Sequence, residues 1–459
     1  MDTDRRMKLE WFPDPYSSLR LHPRVFRTLT PSETSMSCDL VCAGRTFRVP
    51  LGVDATVPAD TIRMSSKLAR ELGIFDLRAE LTAFFIHGKL RIGPLVGILC
   101  NPRWDERRQS LKVTQQLLGL EKLAAAAREA GALCYLFGAS DVDLEERRVR
   151  GYVHDGNSWS PHQLPLPDVI YDQVVSRRVE RRAGGAKVRK ELSKVYGDRI
   201  FNDGFFDKWQ VHEWLMANSR TRGWLPATTR YTTTAAAAGF ISRYPLTYLK
   251  PVHGSLGLGV VRVERTAEGY QWTVRRKHAP AQAAFAPSAE EVVERLKSRL
   301  CSRPYLLQQG ILLATVHNRP FDIRILMQRD GSGQWRRTKM FARVAKSGEI
   351  TSNLSSGGEA QPVPEVIRAI AGKELAPTPI LRKIRRAARE VVDVVEKGAG
   401  KSFAELGIDI GIDQEGRIWV IEVNSKPWKT PESAKGRQDL TKLAFIRPIQ
   451  YAIHLAEQI

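Results

Sequence analysis

The sequence predicts an α+β protein with more than one domain, and three of its features carry this prediction. Residues 1–92 alternate short β-like runs with Pro and Gly turns, whereas strand and helix patterns alternate from residue 96 onward. Residues 406–428 have the pattern of a β-hairpin whose apolar strands carry a few polar side chains. At 459 residues, 42% of them hydrophobic, the chain is long enough for two or three hydrophobic cores.

The first 92 residues are typical of a small β-rich domain. Their β-like runs cover residues 40–42, 46–49 and 81–86, and residues 65–72 have helical spacing of apolar side chains. Pro and Gly turns separate these runs and keep each of them short. We therefore expect a domain of short strands with one short helix.

Residues 93–204 predict a small parallel α/β layer. A strand is expected at 96–100, a helix at 111–130, and further strands at 133–137 and 168–174. Parallel strands require a crossover connection, which is usually a helix, so this alternation is typical of a βαβ unit. We expect residues 161–167 and 183–186, which are rich in Pro and Gly respectively, to be the most mobile.

The charge of the chain indicates an anionic partner. The net charge is +21 at pH 7, which favours nucleotide phosphates, an acidic peptide or polymer, a cell-wall fragment or nucleic acid. Residues 177–199 contain nine Lys or Arg against three acids, and both a solvated face and an anion-attracting rim are open for this run. Aromatic side chains for base stacking are nearly absent there, which makes single-stranded nucleic acid an unfavoured partner.

No segment indicates export or a membrane span. The N-terminus lacks the apolar core of a signal peptide, and no run of about 18 uncharged apolar residues occurs. We therefore expect a cytoplasmic protein without membrane contact.

The predicted C-terminal hairpin brings three oxygen-bearing side chains together. If its turn is centred between Glu415 and Gly416, the residue numbers of each cross-strand pair sum to 831. Asp409 then lies opposite Glu422. Asn424 then falls on the same face. Each residue alone is readily explained by solvation, but two converging carboxylates repel each other unless a hard cation such as Mg²⁺ neutralises them. The three residues together therefore predict a metal site.

A glycine-rich loop upstream predicts a phosphate site. An apolar strand ends at Lys250, and the loop that follows contains Gly254, Ser255, Gly257 and Gly259. Glycines let backbone N–H groups approach phosphate oxygens without an obstructing Cβ, and the lysine adds a positive charge. The spacing is neither that of a Walker loop nor that of a strand-to-helix dinucleotide turn, which argues against P-loop and Rossmann sites.

A lysine, a glycine loop and a distal acidic hairpin, in this order, resemble the ATP-grasp superfamily, in which two α+β subdomains clamp ATP. The resemblance covers roughly the last 250 residues and assigns residues 205–459 to such a clamp. It implies that Lys208, at a helix start, and Lys250 contact phosphate, and that the glycine loop closes over it. The hinge bordering adenine would consist of Gln308, Gln309, Gly310 and Ile311. Two glutamines replace the acidic hinge residues of many ATP-grasp enzymes, which leaves the nucleotide preference open.

The same resemblance assigns the reacting end of the clamp. Arg324 matches a phosphate-side arginine, Arg343 matches a basic strand, and Asn353 lies in an Asn-containing glycine loop; these three are the candidate catalytic residues. Asp409, Glu422 and Asn424 match the magnesium ligands.

Within the superfamily, the chain resembles the YheC/YheD branch of endospore-coat-associated proteins. Residues 93–99, 167–172 and 201–208 extend the resemblance upstream of the clamp. It implies an ATP-grasp clamp of two α+β subdomains preceded by a pre-ATP-grasp α/β domain, 93–204, and an N-terminal β-rich domain, 1–92. A location at the spore coat, with spore-coat proteins as partners, is a further implication.

The function implied by this resemblance is that of an ATP- and Mg²⁺-dependent carboxylate–amine ligase. Such an enzyme activates a carboxylate as an acyl phosphate, releases ADP and joins the acyl group to an amine. The partners would be a small-molecule or peptide carboxylate and an amine acceptor, and the basic chain favours anionic ones. Two alternatives stay open: an ATP-grasp kinase, and a non-catalytic nucleotide-binding protein of spore-coat assembly.

Overall fold

The computed structural model describes residues 4–29, 37–72, 74, 80–86, 89–254, 257–274, 282–345, 358–371, 377–429 and 437–458. Within these residues, the N-terminal strands close into a β-barrel in the order β1-β5-β2-β4-β3-β7-β6. The elements of this region are β1 (Asp4–Phe12), β2 (Leu19–Leu21), α1 (Pro23–Leu29), β3 (Ser37–Cys42), β4 (Arg45–Val53), β5 (Thr61–Ser65), α2 (Ser66–Leu72), β6 (Glu80–Ile86) and β7 (Lys89–Ile92). The predicted strands at 40–42, 46–49 and 81–86 and the helix at 65–72 are confirmed.

The second region is a mixed sheet of order β12-β13-β11-β8-β15-β16, with β14 paired to β13. Its elements are β8 (Leu95–Cys100), β9 (Trp104–Asp105), β10 (Ser110–Leu111), α3 (Gln115–Glu129), β11 (Leu133–Gly138), β12 (Val142–Asp143), β13 (Arg148–His154), β14 (Trp159–Pro165), β15 (Val169–Asp172), α4 (Arg177–Glu180), α5 (Ala183–Tyr196) and β16 (Ile200–Phe201). Strands β11, β8, β15 and β16 are parallel, as predicted.

The expected start of the helix and the two segments expected to be mobile differ from what the structure shows. The helix expected from residue 111 begins at Gln115, because the hydroxyl of Thr114 accepts a hydrogen bond from the Leu117 N–H at 3.2 Å and caps the helix there. Residues 161–167, expected to be mobile, lie largely in β14, which pairs along its whole length with β13. The prolines are tolerated because β14 is an edge strand. Residues 183–186 open α5 instead of forming a loop.

The last half of the chain contains two further sheets. The first has the order β17-β22-β18-β19-β20-β21. The elements of this part of the chain are α6 (Lys208–Ala217), β17 (Thr228–Arg230), α7 (Thr234–Arg243), β18 (Leu246–Pro251), β19 (Val261–Arg265), β20 (Tyr270–Val274), β21 (Gln282–Ala286), α8 (Ala289–Cys301) and β22 (Tyr305–Gln309). Helices α7 and α8 share a buried core with this sheet.

The second of these sheets has the order β26-β25-β24-β27-β28, with β23 paired to β24. Its elements are β23 (Thr315–Val316), β24 (Arg319–Arg329), β25 (Trp335–Val344), β26 (Glu359–Gln361), α9 (Val363–Ala371), α10 (Pro377–Ala399), β27 (Glu405–Ile412) and β28 (Ile418–Asn424), and the chain ends with α11 (Gln438–Glu457). Helix α10 packs its apolar face on this sheet and α6. The two sheets and their helices form the α+β clamp that the sequence predicts.

Helix α11 returns to the second region. Its side chains Phe445, Ile449 and Ala452 share a core with strands β8 and β15 and helix α3. This packing ties the end of the chain to the layer that precedes the clamp. Among the helices that the structure describes, none is both long and apolar enough to cross a membrane.

The hairpin β27–β28 confirms the pairing of Asp409 with Glu422, but the turn register that predicted it is wrong. Near the turn, Ile412 pairs with Ile418, so partners sum to 830 rather than 831. A β-bulge then inserts Ile421 as an extra residue on β28 and restores the sum of 831. The bulge therefore sets the pairing of the two carboxylates.

Candidate functional site

A cleft separates the two sheets of the clamp, and most of the residues predicted to bind nucleotide line it. The predicted residues that line it are Lys208, Lys250, Gly254, Gly257, Gln308, Gln309, Ile311, Arg343, Asp409 and Glu422. Gly259, Gly310, Arg324 and Asn424 lie in the elements around the cleft and are absent from its described lining. Ser255 and Asn353 fall outside the described residues.

Much of the cleft lining is apolar, and the sequence did not single out most of these residues. Side chains from both sheets and from α6 form its walls, among them Leu215, Leu225, Tyr248, Leu306, Leu313 and Ile421. A flat aromatic group fits between such walls because it gains burial on both faces. These residues look like ordinary core positions in the sequence, so no sequence signal could have found them.

Backbone hydrogen bonds to neighbouring segments hold the hinge in place. The backbone N–H groups of Gln309 and Gly310 donate to the carbonyls of Ala227 (2.8 Å) and Leu246 (2.7 Å). Gly310 is required there because a Cβ would lie 2.2 Å from the Leu246 side chain. Two backbone donors of the hinge are therefore committed to the sheet, and Ile311 follows them at the edge of the cleft.

The glycine loop begins where β18 ends. Gly257 and Gly259 have φ of +68° and +76°, a region that favours glycine, so the loop needs these residues for its backbone path. The Lys250 Nζ donates to the Gln308 side-chain oxygen at 2.5 Å. Burial lowers the pKa of Lys250 to about 8, even though the Glu422 carboxylate acts to raise it.

Lys208 reaches the same place from the opposite side. Asp207 caps α6 by accepting from the Trp209 N–H at 2.7 Å, which fixes Lys208 as the first residue of the helix. Its Nζ forms an ion pair with the Glu422 carboxylate. Burial acts to raise the pKa of Glu422, but the Lys208 ammonium outweighs it and holds that pKa below its usual value.

Sheet register places two arginines beside Asp409. Arg324 on β24 is the cross-strand neighbour of Asp409 and binds both of its oxygens. Arg343 lies 3.0 Å from Asp409 Oδ2 and makes a two-pronged contact with Asp322, at 2.6 and 2.7 Å. Burial acts to raise the pKa of Asp409, but the two guanidinium groups hold it below its usual value. Asp322 has a clear role in fixing Arg343, and the sequence reasoning missed it.

These contacts change the argument for a metal. The convergence of Asp409 and Glu422 is confirmed, but Arg324, Arg343 and Lys208 already offset their charge. Among the described residues, no group of three His, Cys, Asp or Glu side chains has the arrangement of a metal site. A hard cation also binds amide oxygens as ligands. The side chains of Glu422 and Asn424 therefore offer two oxygen ligands on one strand. The donor set therefore fits Mg²⁺ if other oxygens complete it.

A buried polar network joins the hairpin to the layer before the clamp. The Asn202 amide donates to the carbonyls of Glu405 (2.8 Å) and Ser425 (2.5 Å). Lys426, two residues after Asn424, pairs with Asp172 at 2.6 Å, and both side chains are buried. The position of the hairpin end is therefore fixed by the carboxyl end of β15.

Two relatives are similar to this chain in sequence. The endospore coat-associated protein YheD of Bacillus subtilis (strain 168) is 28% identical over 402 residues, which are 87% of this chain and 86% of YheD. The protein YheC of the same organism is 25% identical over 314 residues, which are 67% of this chain and 84% of YheC.

Two solved structures are also similar. The ATP-grasp ligase PsnB, complexed with minimal precursor, is 14% identical with a TM-score of 0.45, and the match covers 78% of this chain and 99% of PsnB. D-alanyl-alanine synthetase A from Vibrio cholerae O1 biovar eltor is 10% identical with a TM-score of 0.45, and the match covers 79% of this chain and 98% of that protein. The family model of YheC/D-like ATP-grasp proteins matches residues 197–455. The chain therefore belongs to the YheC/D-like ATP-grasp family.

Proposed function

We propose that this protein is an ATP- and Mg²⁺-dependent ligase that joins a carboxylate to an amine through an acyl phosphate. The observation that carries the proposal is one cleft lined by both apolar and charged side chains, in which Lys208 and Lys250 lie near the carboxylates of Asp409 and Glu422. Such a cleft suits a purine against its apolar side chains and a polyphosphate against its charged ones. Family membership supports the nucleotide as ATP.

Positive charge is what this chain supplies to the reaction. A substrate carboxylate oxygen attacks the γ-phosphorus, the bond to the leaving ADP oxygen breaks, and an acyl phosphate forms. Lys208, Lys250 and Arg343 offset the negative charge that spreads over the transferred group. An amine then attacks the acyl carbon, phosphate leaves, and the amine gives up a proton. The half-buried cleft keeps water from the acyl phosphate.

Glu422 and Asn424 would hold Mg²⁺, which would offset negative charge on the phosphates of ATP. Asp409 would join them only if Arg324 or Arg343 moved toward the phosphates, since both of its oxygens contact guanidinium groups. We assign Arg324 and Asn353 to orientation of the phosphates or of the carboxylate, and Gly254, Ser255, Gly257 and Gly259 to the loop over the phosphates.

The carboxylate and amine substrates are proposed as small molecules or peptides. The relatives named as endospore coat-associated support a second candidate function, nucleotide-dependent assembly at the spore coat. The charged set around the cleft favours the ligase, because two lysines and Arg343 beside the acidic hairpin suit stabilisation of phosphoryl transfer in addition to nucleotide binding. The same names support a location at the spore coat, and we propose a cytoplasmic site of synthesis with it.

The test is incubation of the purified protein with ATP, Mg²⁺ and pooled acids and amines, followed by nucleotide analysis and hydroxylamine trapping. ADP formation that depends on an acid, together with a hydroxamate, is the expected result. AMP and pyrophosphate would refute the acyl-phosphate route, and stable phosphate transfer to a hydroxyl would indicate a kinase. Tight ATP binding without turnover would favour the assembly role. Glu422→Ala serves as the inactive control.

A further inference from the structure

Arg177, the first residue of α4, has a guanidinium group whose binding capacity is mostly unused. Its Nη2 donates to the carbonyl of Phe206 at 2.6 Å, and its Cζ lies 4.7 Å from the ring centre of Phe205. Among the described residues, no carboxylate lies within 4 Å of the guanidinium, and its buried Nε has no hydrogen-bond partner. A half-buried guanidinium without an anionic partner is uncommon, because its desolvation is not compensated.

The neighbouring Arg189 provides a contrast. It lies on α5, is buried, and contacts the carboxylates of Asp172, Asp203 and Glu180. Among the described residues, Arg189 therefore contacts three carboxylates directly, whereas Glu180 acts on Arg177 only from beyond 4 Å. Arg177 thus has no direct ion pair although acids are present on the same segment.

The position of Arg177 is next to the reacting end of the cleft. The Phe206 carbonyl that it binds is two residues before Lys208, which lines the cleft and pairs with Glu422. Burial lowers the pKa of Arg177, and the carboxylates of Glu180, Asp207 and Glu422 act to raise it, in keeping with their proximity. The guanidinium therefore lies near Glu422, the ion-pair partner of Lys208.

We propose that Arg177 binds a second anionic group of the acid substrate, so that the ligase acts on acids with an additional carboxylate, such as acidic peptides. This inference rests on the proposed function. The reacting carboxylate would lie near Lys208, and the second one would form a two-pronged contact with the Nη1 and Nη2 end of Arg177, whose Nη2 keeps its other hydrogen on the Phe206 carbonyl. Exposed Arg178 and Arg181 on the same segment add positive charge at the entrance and attract such a substrate.

The experiment measures equilibrium binding to the full chain loaded with Mg²⁺ and a non-hydrolysable ATP analogue, so turnover is not required. The probes are glutarate and the dipeptide Glu-Glu, each compared with its amide, glutaramate or Gln-Gln, at constant ionic strength. Arg177→Gln removes the charge and retains a donor for the Phe206 carbonyl. Arg178→Gln is the matched control, because it removes the same charge from an exposed position one residue away.

We expect the unmodified protein to prefer the acids, and Arg177→Gln to lose about 10- to 100-fold in affinity for them, as a charge-assisted contact predicts. The affinity for the ATP analogue should not change, and Arg178→Gln should behave as the unmodified protein. Absence of a preference, an equal loss in Arg178→Gln, or a parallel loss of nucleotide affinity in Arg177→Gln would overturn the assignment. The last result would make Arg177 a phosphate contact.

Arg177→Lys keeps the proposal testable if Arg177→Gln folds poorly. It retains the charge and a donor for the Phe206 carbonyl, but an ammonium cannot make the two-pronged contact. A loss of roughly tenfold in affinity for the acids is expected, and unchanged affinity would refute the contact. Failure of the proposed function appears separately, as absence of ADP formation in the ligase assay despite acid binding.

Discussion

Replacement of Lys250 by methionine is expected to stabilise the free protein while weakening ATP binding. Methionine keeps most of the aliphatic length of the side chain and removes a charge whose pKa burial has lowered from 10.5 to about 8. A buried ammonium is unfavourable in the free protein, and the polyphosphate of ATP is the group that would compensate it. The single hydrogen bond to Gln308 is lost, which costs about 1 kcal/mol.

The sign and size of the effect follow from the pKa values. Below about pH 8 the lysine is charged in both states, and its burial destabilises the folded state. Between pH 8 and 10.5 the folded protein has released the proton that the unfolded chain still holds, so stability rises with pH. The full difference corresponds to about 3 kcal/mol. Since the side chain is only half-buried, water screens the charge, and we expect about 1–2 kcal/mol.

The assay is urea denaturation of both proteins at pH 7, 8.5 and 10, with isothermal titration of ATP at each pH. The gain in free energy of unfolding of Lys250→Met over the unmodified protein should be largest at pH 7 and should be lost by pH 10, where the missing hydrogen bond to Gln308 outweighs what is left of the charge effect. ATP affinity of the unmodified protein should fall above pH 8. Exposed Lys67→Met is the control. A difference that does not vary with pH, or a variant destabilised equally at every pH, would refute the reasoning.

Three further outcomes are expected. Glu422→Gln should abolish Mg²⁺-dependent ATP binding while the free energy of unfolding changes by less than about 1 kcal/mol, since its ion pair is partly exposed; unaltered metal dependence would contradict this. Arg343→Gln should lower the free energy of unfolding by about 3 kcal/mol because it removes the guanidinium that contacts the buried carboxylates of Asp322 and Asp409, whereas exposed Arg336→Gln should change it by less than about 1 kcal/mol. Equal effects of the two changes on urea denaturation would contradict this. Thr114→Ala should lower the free energy of unfolding by about 1 kcal/mol through loss of the α3 cap, measured by thermal unfolding. An unchanged stability would show that the cap does not stabilise the helix.

Local features of the fold were predictable because they depend on neighbouring residues. Asp207 and Thr233 begin α6 and α7 as the sequence indicates, since each side chain binds an N–H group within its own first turn. The apolar face of α10, including Ile384 and Val391, is buried as its 3.6-residue spacing predicts. The nucleotide-binding candidates were expected to lie together because the lysine, the glycine loop and the acidic hairpin follow one another in the order of the ATP-grasp superfamily.

The hairpin shows where such reasoning ends. A symmetric two-residue turn predicted the Asp409–Glu422 pairing, but the turn is a longer loop in which Asp413 accepts the N–H groups of Glu415 and Arg417. The bulge at Ile421 then corrects the register. Bulges depend on packing of the strand against the rest of the sheet, so two errors of one residue cancelled and left a correct pairing.

The sequence by itself determined the helix start at Lys208, the strand that ends at Lys250 and the acidic hairpin, because spacing and capping are properties of the chain. Only the tertiary structure decided that Arg324 and Arg343 contact Asp409 and that Lys208 contacts Glu422. Pairing of β24 between β25 and β27 brings these charges together from distant segments. Charge neutralisation depends on distance in space, and a sequence lists the carboxylates without the cations that lie beside them.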